Sequence, residues 1–208
     1  MAGSRRPRDG KRRLAGRRAA SLPLLLAACL VASGDAPAQT LQDRIAACVG
    51  CHGERGLSPD PNVPAIGGQP KLFVMYQLFF YREGRRANPE MNAMAKGLSD
   101  ADLTALANYV AGLPPPPPAE GPVDRARYER GAEIARQRIC GSCHNPDYSG
   151  REQMPRLAGQ RESYLLRAFK DYRAGARVGT QAAMAEAIRG LDDAALTDLA
   201  YYLARFRP

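Results

Sequence analysis

Cys48-Val49-Gly50-Cys51-His52 recurs 92 residues later as Cys140-Gly141-Ser142-Cys143-His144. Outward from this pair the likeness continues. Val63-Pro64-Ala65-Ile66-Gly67-Gly68-Gln69 matches Met154-Pro155-Arg156-Leu157-Ala158-Gly159-Gln160 at an offset of 91, and Tyr81-Arg82-Glu83-Gly84 matches Tyr172-Arg173-Ala174-Gly175 at the same offset. Leu98-Ser99-Asp100-Ala101-Asp102-Leu103-Thr104 then matches Leu191-Asp192-Asp193-Ala194-Ala195-Leu196-Thr197 at 93. A period this far above 50 residues is tandem duplication of one domain, not a solenoid.

Each half reads as helices. Leu103, Leu106, Ala107, Val110 and Leu196, Leu199, Ala200, Leu203 recur at i, i+3, i+4, i+7, which gives an amphipathic helix closing each half. Ser99 and Asp192 are the expected N-caps, and Asp102 stands at the capping-box spacing. The stretches 70–82 and 161–173 predict a middle helix ended by Gly84 and Gly175, and a first helix runs into each Cys-x-x-Cys-His. No useful alternating strand pattern occurs, so the expected class is all-α. Pro114–Pro118, an unbroken proline run without backbone donors, reads as a stiff linker excluded from packed elements. The expected organisation is 1–38 leader, 39–113 first domain, 114–121 proline-rich linker and 122–208 second domain. Halves this short need something besides protein to fill their cores.

The leader is read from charge and hydropathy. Eight of the 30 basic residues and two of the 21 acidic ones fall in 1–38, so the remainder carries +3 rather than +9, and the charge is no nucleic-acid footprint. The apolar stretch Leu22–Val31 is too short to span a membrane and suits a signal peptide, with Ala36-Pro37-Ala38 as the cleavage site before Gln39. Leu26-Ala27-Ala28-Cys29 also has the shape of a lipobox; membrane association is expected only if Cys29 is lipidated. Export to the periplasm follows in either case.

Two thiols three residues apart can bond both vinyl groups of one haem, and the following His lands under its iron. Cys48, Cys51 and His52, with Cys140, Cys143 and His144, therefore predict two covalently bound haem c groups. Separate zinc sites would need further thiol or imidazole ligands, and every other Cys and His is spent except Cys29 in the leader; a single four-Cys zinc site shared between halves stays formally open. A thioredoxin-like reading expects a βαβ pattern, which is missing.

Because both histidines are used, the sixth ligand must be Met, Lys, Tyr or nothing. Met91 lies seven residues before Leu98 and Met184 seven before Leu191, whereas Met94 aligns with Ala187. The repeat thus selects Met91 and Met184; Met75 and Met154, aligned with Leu166 and Val63, read as core filling. Pro64 and Pro155 begin a loop beneath each His, either as a rigid turn or as carbonyl acceptors for Nδ1. Arg86 and Arg177 are matched arginines that either pair with haem propionates or remain surface charge.

With these marks the chain resembles tandem class I cytochrome c domains, and most closely the dihaem cytochrome c4 family, over about 40–208. The paired Cys-x-x-Cys-His, the loops ending Gly68-Gln69 and Gly159-Gln160, the Gly-x-Arg at 84–86 and 175–177, and the methionines carry the resemblance. It implies His–Met haems, Pro64 and Pro155 carbonyls bonded to His52 and His144, and two domains face to face. It also implies a periplasmic electron carrier, not an enzyme, commonly between the bc1 complex and a haem–copper oxidase. Similar modules serve as cytochrome subunits of periplasmic dehydrogenases, and a dihaem peroxidase is the enzymatic alternative. Gly131 and Ile134 look like the family's first-helix contact with the last helix, and the first half has no matching Gly. The stiff linker leaves face-to-face packing open. Residues 39–113 are electrically neutral, while 122–208 carry 15 basic against 11 acidic groups, a surplus that suits an acidic redox partner or a solvated surface.

Overall fold

The computed structural model describes residues 39–177 and 182–207, and the expected leader, with Cys29 and the expected cleavage site, lies outside them. The first half runs α1 (Leu41–His52), α2 (Lys71–Arg82), α3 (Pro89–Ala95) and α4 (Asp100–Gly112). The second runs α5 (Arg125–Gln137), α6 (Cys140–His144), α7 (Glu162–Arg173), α8 (Ala182–Ala187) and α9 (Asp193–Arg205). Among the described residues the only extended pairing is an isolated bridge between Arg151 and Met154, so the all-α expectation holds.

Local chemistry accounts for the helix ends. Thr40 with Asp43 and Ser99 with Asp102 form reciprocal capping boxes, satisfying the first orphan N–H groups of α1 and α4. Asp192 accepts from Ala195 N at 2.8 Å at the start of α9. Beyond α2 and α7, Gly84 (φ 66°) and Gly175 (φ 67°) take the left-handed turn that other residues resist. Helices α3 and α8 have no counterpart in the sequence pattern. Asn88 caps α3 with Pro89 at its first position, so Met91 and Met94 stand on a helix. In the second half the first helix does not run unbroken into the motif: it ends at Gln137, and Ile139 turns left-handed (φ 46°) before α6 begins.

The closing helices organise the two cores. Leu103 and Leu106 of α4 are buried with Tyr81, Ala95 and Leu98, and Ile45, Cys48 and Met91 pack against them. Around α9 the buried set is far larger, from Ala135 through Leu157, Leu165, Phe169 and Ile188 to Leu203, with Cys140 and Met184 packed against it. The difference begins at the first helix. A Cβ on Gly131 of α5 would sit 2.2 Å from Asp198 O and 2.5 Å from Tyr202 Cβ, so α5 crosses α9 at backbone contact. The shorter α1 has no such glycine and meets α4 through Ile45, Cys48 and an ion pair from Arg44 Nε to Asp102 Oδ1 at 3.2 Å.

The proline run corrects an expectation. Pro116 is buried, and the run passes over glycines of both halves: a Cβ on Gly67 would meet Pro114 O at 2.3 Å, and one on Gly159 would meet Pro116 O at 2.5 Å. The lack of N–H groups, taken as grounds for excluding the run from packing, is what lets it be buried without orphan donors. Ala119 N then donates to Ala204 O at 2.7 Å, fastening the strap to α9.

Two outcomes follow for the α5–α9 crossing. Gly131→Ala gains up to about 1 kcal/mol of helix propensity but drives a Cβ into immovable backbone, so a net loss of about 1–3 kcal/mol is expected in thermal or denaturant unfolding of the second half. Asp198 accepts from Arg130 Nε at 2.6 Å and Arg127 Nε at 3.4 Å, which holds its carboxyl below the usual carboxylate range against the cost of burial. A depressed carboxylate stabilises the fold at pH above about 4 and loses that contribution as pH falls further. An acid titration of stability should therefore be shallower in Asp198→Asn than in the parent.

Candidate haem sites

Helical spacing sets up each motif. Residues i, i+3 and i+4 share one helix face, so α1 presents Cys48, Cys51 and His52 together, and the single turn of α6 presents Cys140, Cys143 and His144 likewise. The first thiol of each pair is half-buried and the second exposed. Burial pushes the Cys140 thiol up to about 11 and raises that of Cys48 as well. Dithiol redox motifs work through a depressed thiol pKa, and the reverse is found here.

Both motif histidines are only 8% exposed. His52 Nδ1 lies 3.0 Å from Pro64 O, and His144 Nδ1 lies 2.8 Å from Pro155 O. A carbonyl can only accept, so Nδ1 carries the proton and Nε2 keeps its lone pair. Burial lowers both imidazole pKa values against the pull of the proline carbonyls, which favours neutral rings. A neutral ring with its outer nitrogen anchored and its inner one unprotonated is the form that ligates a metal.

Matched turns aim the proline loops. Gly53 and Asn145 leave the motif helices with positive φ (76° and 68°), and Gly56 and Tyr148 repeat this three residues on (68° and 54°). Gly56 O then accepts from Ile66 N and Gly67 N, while Tyr148 O accepts from Leu157 N and Ala158 N, at 2.8 to 3.3 Å. Asn145 tolerates its turn with side-chain bonds to Ser149 Oγ and Gly150 O, both 2.9 Å. Tyr148 is held by edge-on rings of Tyr202 and Phe206.

Met91 and Cys48 line one cavity with Leu78, Leu98 and Leu106. Met94 reaches its mouth and is 44% exposed, whereas Met91 packs on the core, its N–H donating to Asn88 Oδ1 at 2.8 Å. In the second half Met184 and Cys140 pack against the same buried cluster. The pairs chosen by the repeat thus share one cavity in the first half and one core in the second. Met75 and Leu166 also match, each packed on its core as expected for filling.

Arg86 and Arg177 are half-buried, not surface charge. Arg86 Nη2 is 3.1 Å and Arg177 Nη2 3.3 Å from the single Tyr164 hydroxyl, and each guanidinium covers a matched ring, Tyr81 at 4.6 Å and Tyr172 at 4.7 Å. Although burial opposes it, the two guanidiniums pull the Tyr164 phenol down to about 7. Neither Arg has a carboxylate partner among the described residues. Two unpaired cations here suit a group bearing carboxylates, as haem does. Tyr164 escaped the sequence reading because it aligns with Phe73, so the repeat gave no signal.

Two helical units, each with a helical Cys-x-x-Cys-His, an anchored neutral imidazole and a methionine packed on its core, define a two-domain c-type cytochrome. Comparison agrees. The family model described as "Cytochrome c" matches residues 128–206, and that described as "Cytochrome C oxidase, cbb3-type, subunit III" matches 33–110. Cytochrome c4 of Pseudomonas aeruginosa is 35% identical over 152 residues, spanning 70% of this chain and 75% of its own. A thiosulfate dehydrogenase electron acceptor of Thiomonas intermedia is 35% identical over 144 residues, covering 64% and 66%. The solved cytochrome c4 of Acidithiobacillus ferrooxidans superposes with a TM-score of 0.69 at 31% identity, covering 77% of this chain and 99% of that one. The chain belongs to the cytochrome c4 family, and it is an electron-transfer protein with two covalently bound haem c groups.

The methionine arrangement is testable. Met91→Ala or Met184→Ala should each abolish about half of the sulfur-to-iron charge-transfer absorption and lower the potential of one haem. Met94→Ala, being exposed, should leave that band intact and cost less than about 1 kcal/mol. The reverse pattern for Met91 and Met94 would contradict the repeat-based choice.

Proposed function

We propose that this protein carries single electrons between redox proteins in the periplasm and performs no catalysis of its own. On this reading 39–113 and 122–208 are the two haem domains, 114–121 joins them, and the leader is removed after Ala38. Cys48, Cys51, His52 and Met91 hold one haem, and Cys140, Cys143, His144 and Met184 hold the other. Haem iron, when bound, supplies the one-electron couple. The chain's own part is to keep both axial positions filled and the rings fixed. Pro64 O and Pro155 O retain the Nδ1 protons, so neither imidazole turns or titrates between redox states. The apolar walls, buried Leu98 and Leu106 with partly buried Leu78 in the first domain, limit access of water.

The observation that supports the reading is that Met91 and Met184 pack against the same buried clusters as the first cysteine of each motif. A peroxidase-type enzyme needs a position that opens, and both domains keep a thioether for it. The donor and acceptor we propose are the bc1 complex and a haem–copper oxidase. A periplasmic dehydrogenase is the second reading for the donor, supported by the likeness to a protein named a thiosulfate dehydrogenase electron acceptor.

Carbon monoxide added to the reduced protein, and cyanide to the oxidised one, should leave the visible spectra unchanged near neutral pH. Rapid ligand binding to either haem of the parent protein would overturn the carrier reading. Co-purification from native membranes and periplasm, followed by stopped-flow oxidation with the candidates recovered, discriminates between the two donor classes.

A further inference from the structure

Two buried glutamines reach from each half into the backbone of the other. Gln69 Oε1 accepts from Arg156 N at 3.0 Å while its Nε2 donates to Arg156 O at 3.1 Å. In return Gln160 Oε1 accepts from Ala65 N, and its Nε2 donates to Ala65 O, both at 2.8 Å. Each glutamine is 4% exposed, and the two pairs are related by the repeat, since Gln69 and Gln160, like Ala65 and Arg156, are 91 residues apart.

The clasped residues are those that follow Pro64 and Pro155. The Pro64 carbonyl and the Ala65 N–H belong to one peptide group, whose oxygen takes the His52 Nδ1 proton and whose N–H is given to Gln160. The same relay joins His144, the Pro155–Arg156 peptide and Gln69. An amide that donates through its N–H becomes a better acceptor at its oxygen, because resonance moves charge onto the carbonyl, and a dry setting magnifies the effect. A stronger acceptor draws the Nδ1 proton outward and makes the ring a stronger donor at Nε2. We propose that the two glutamines are crossed positioning residues: Gln160 of the second domain tunes the axial imidazole of the first haem, and Gln69 of the first domain tunes that of the second.

The two relays differ in one respect. Gln160 Oε1 also accepts from Arg161 N at 2.9 Å, whereas Gln69 is followed by Pro70, which has no N–H, so its oxygen is committed to Arg156 alone. Gln69 therefore exerts the larger effect.

The inference rests on His52 and His144 being the axial ligands, and the experiment separates the two. In the reduced holoprotein, proton–nitrogen NMR resolves the axial Nδ1–H groups, and their nuclear Overhauser contacts to haem protons establish the ligands. Absence of such contacts for His52 and His144 in the parent would remove that basis. With the contacts present, Gln160→Leu should move the His52 Nδ1–H signal upfield, leave His144 in place, and shift the ferric–ferrous equilibrium of the first haem roughly threefold toward ferrous. Gln69→Leu should do the same to His144 and the second haem, by more. Gln160→Glu keeps an oxygen for Ala65 N and should not shift the first haem toward ferrous, which also covers a Leu variant that fails to fold. Equal shifts at both haems, a shift confined to the glutamine's own domain, or a Glu variant that behaves like Leu would overturn the proposal.

Discussion

An imidazole removed from water must place its proton on an acceptor, and the two motif histidines place theirs on proline carbonyls at 3.0 and 2.8 Å. Much of the surrounding structure serves that bond. Proline fixes the approach of the loop and brings no N–H to compete for the ring. The left-handed turns at Gly56 and Tyr148 send the chain back beneath the motif helix, and their carbonyls hold the loop through its next N–H groups. A ring so anchored cannot exchange tautomers, so its inner nitrogen stays available to iron. An electron carrier gains from this rigidity, because a ligand set that does not rearrange keeps the cost of changing valence small.

The two halves reach this geometry with unequal protein support. Around α9 fourteen of the described residues are buried in one cluster, whereas the cluster around α4 holds five, which puts more weight on the cofactor in the first half. The cause lies upstream of the motif. Gly131 lets α5 cross α9 at backbone contact, while α1 begins only at Leu41 and meets α4 through two side chains and an ion pair. A small core with a shorter first helix is stable largely to the extent that haem completes it. The absence of a matching glycine in the first half therefore has a structural counterpart.

What could be read from the sequence divides along a physical line. The repeat, the amphipathic closing helices, their caps and the motif chemistry are local or periodic, and all were legible. The loop acceptors were legible only as alternatives until Nδ1 distances decided them. Helices α3 and α8 are too short to show a period, and their signals reduce to an Asn-Pro cap and an alanine-rich run. The break at Ile139 has no local mark, since a β-branched residue is among the least expected at positive φ. Tyr164, Gln69 and Gln160 each reach a partner 78 to 95 positions away in the other half, and nothing beside them in the chain foretells that. For the proline run one premise acts in two directions: missing donors prevent ladders, but they also let the run be buried without orphan N–H groups.

Ala65 and Arg156 share no side-chain chemistry, yet both are held by a glutamine from the other half with the same two bonds. The reason is that the clasp reads main-chain N–H and C=O, which every residue except proline offers alike. The proline strap obeys the same logic, lying against Gly67, Gly68 and Gly159, where the partner surface is backbone without a Cβ. Further bonds, such as Arg167 Nη2 to Asn62 O at 2.7 Å and Phe73 N to Glu152 O at 2.9 Å, also end on carbonyls. An interface written largely in backbone groups, with Arg86 to Tyr164 as a side-chain exception, lets two copies of a domain diverge in charge and core while keeping these contacts. That separation of constraints explains how a neutral half and a basic half remain joined at the loops that anchor their histidines.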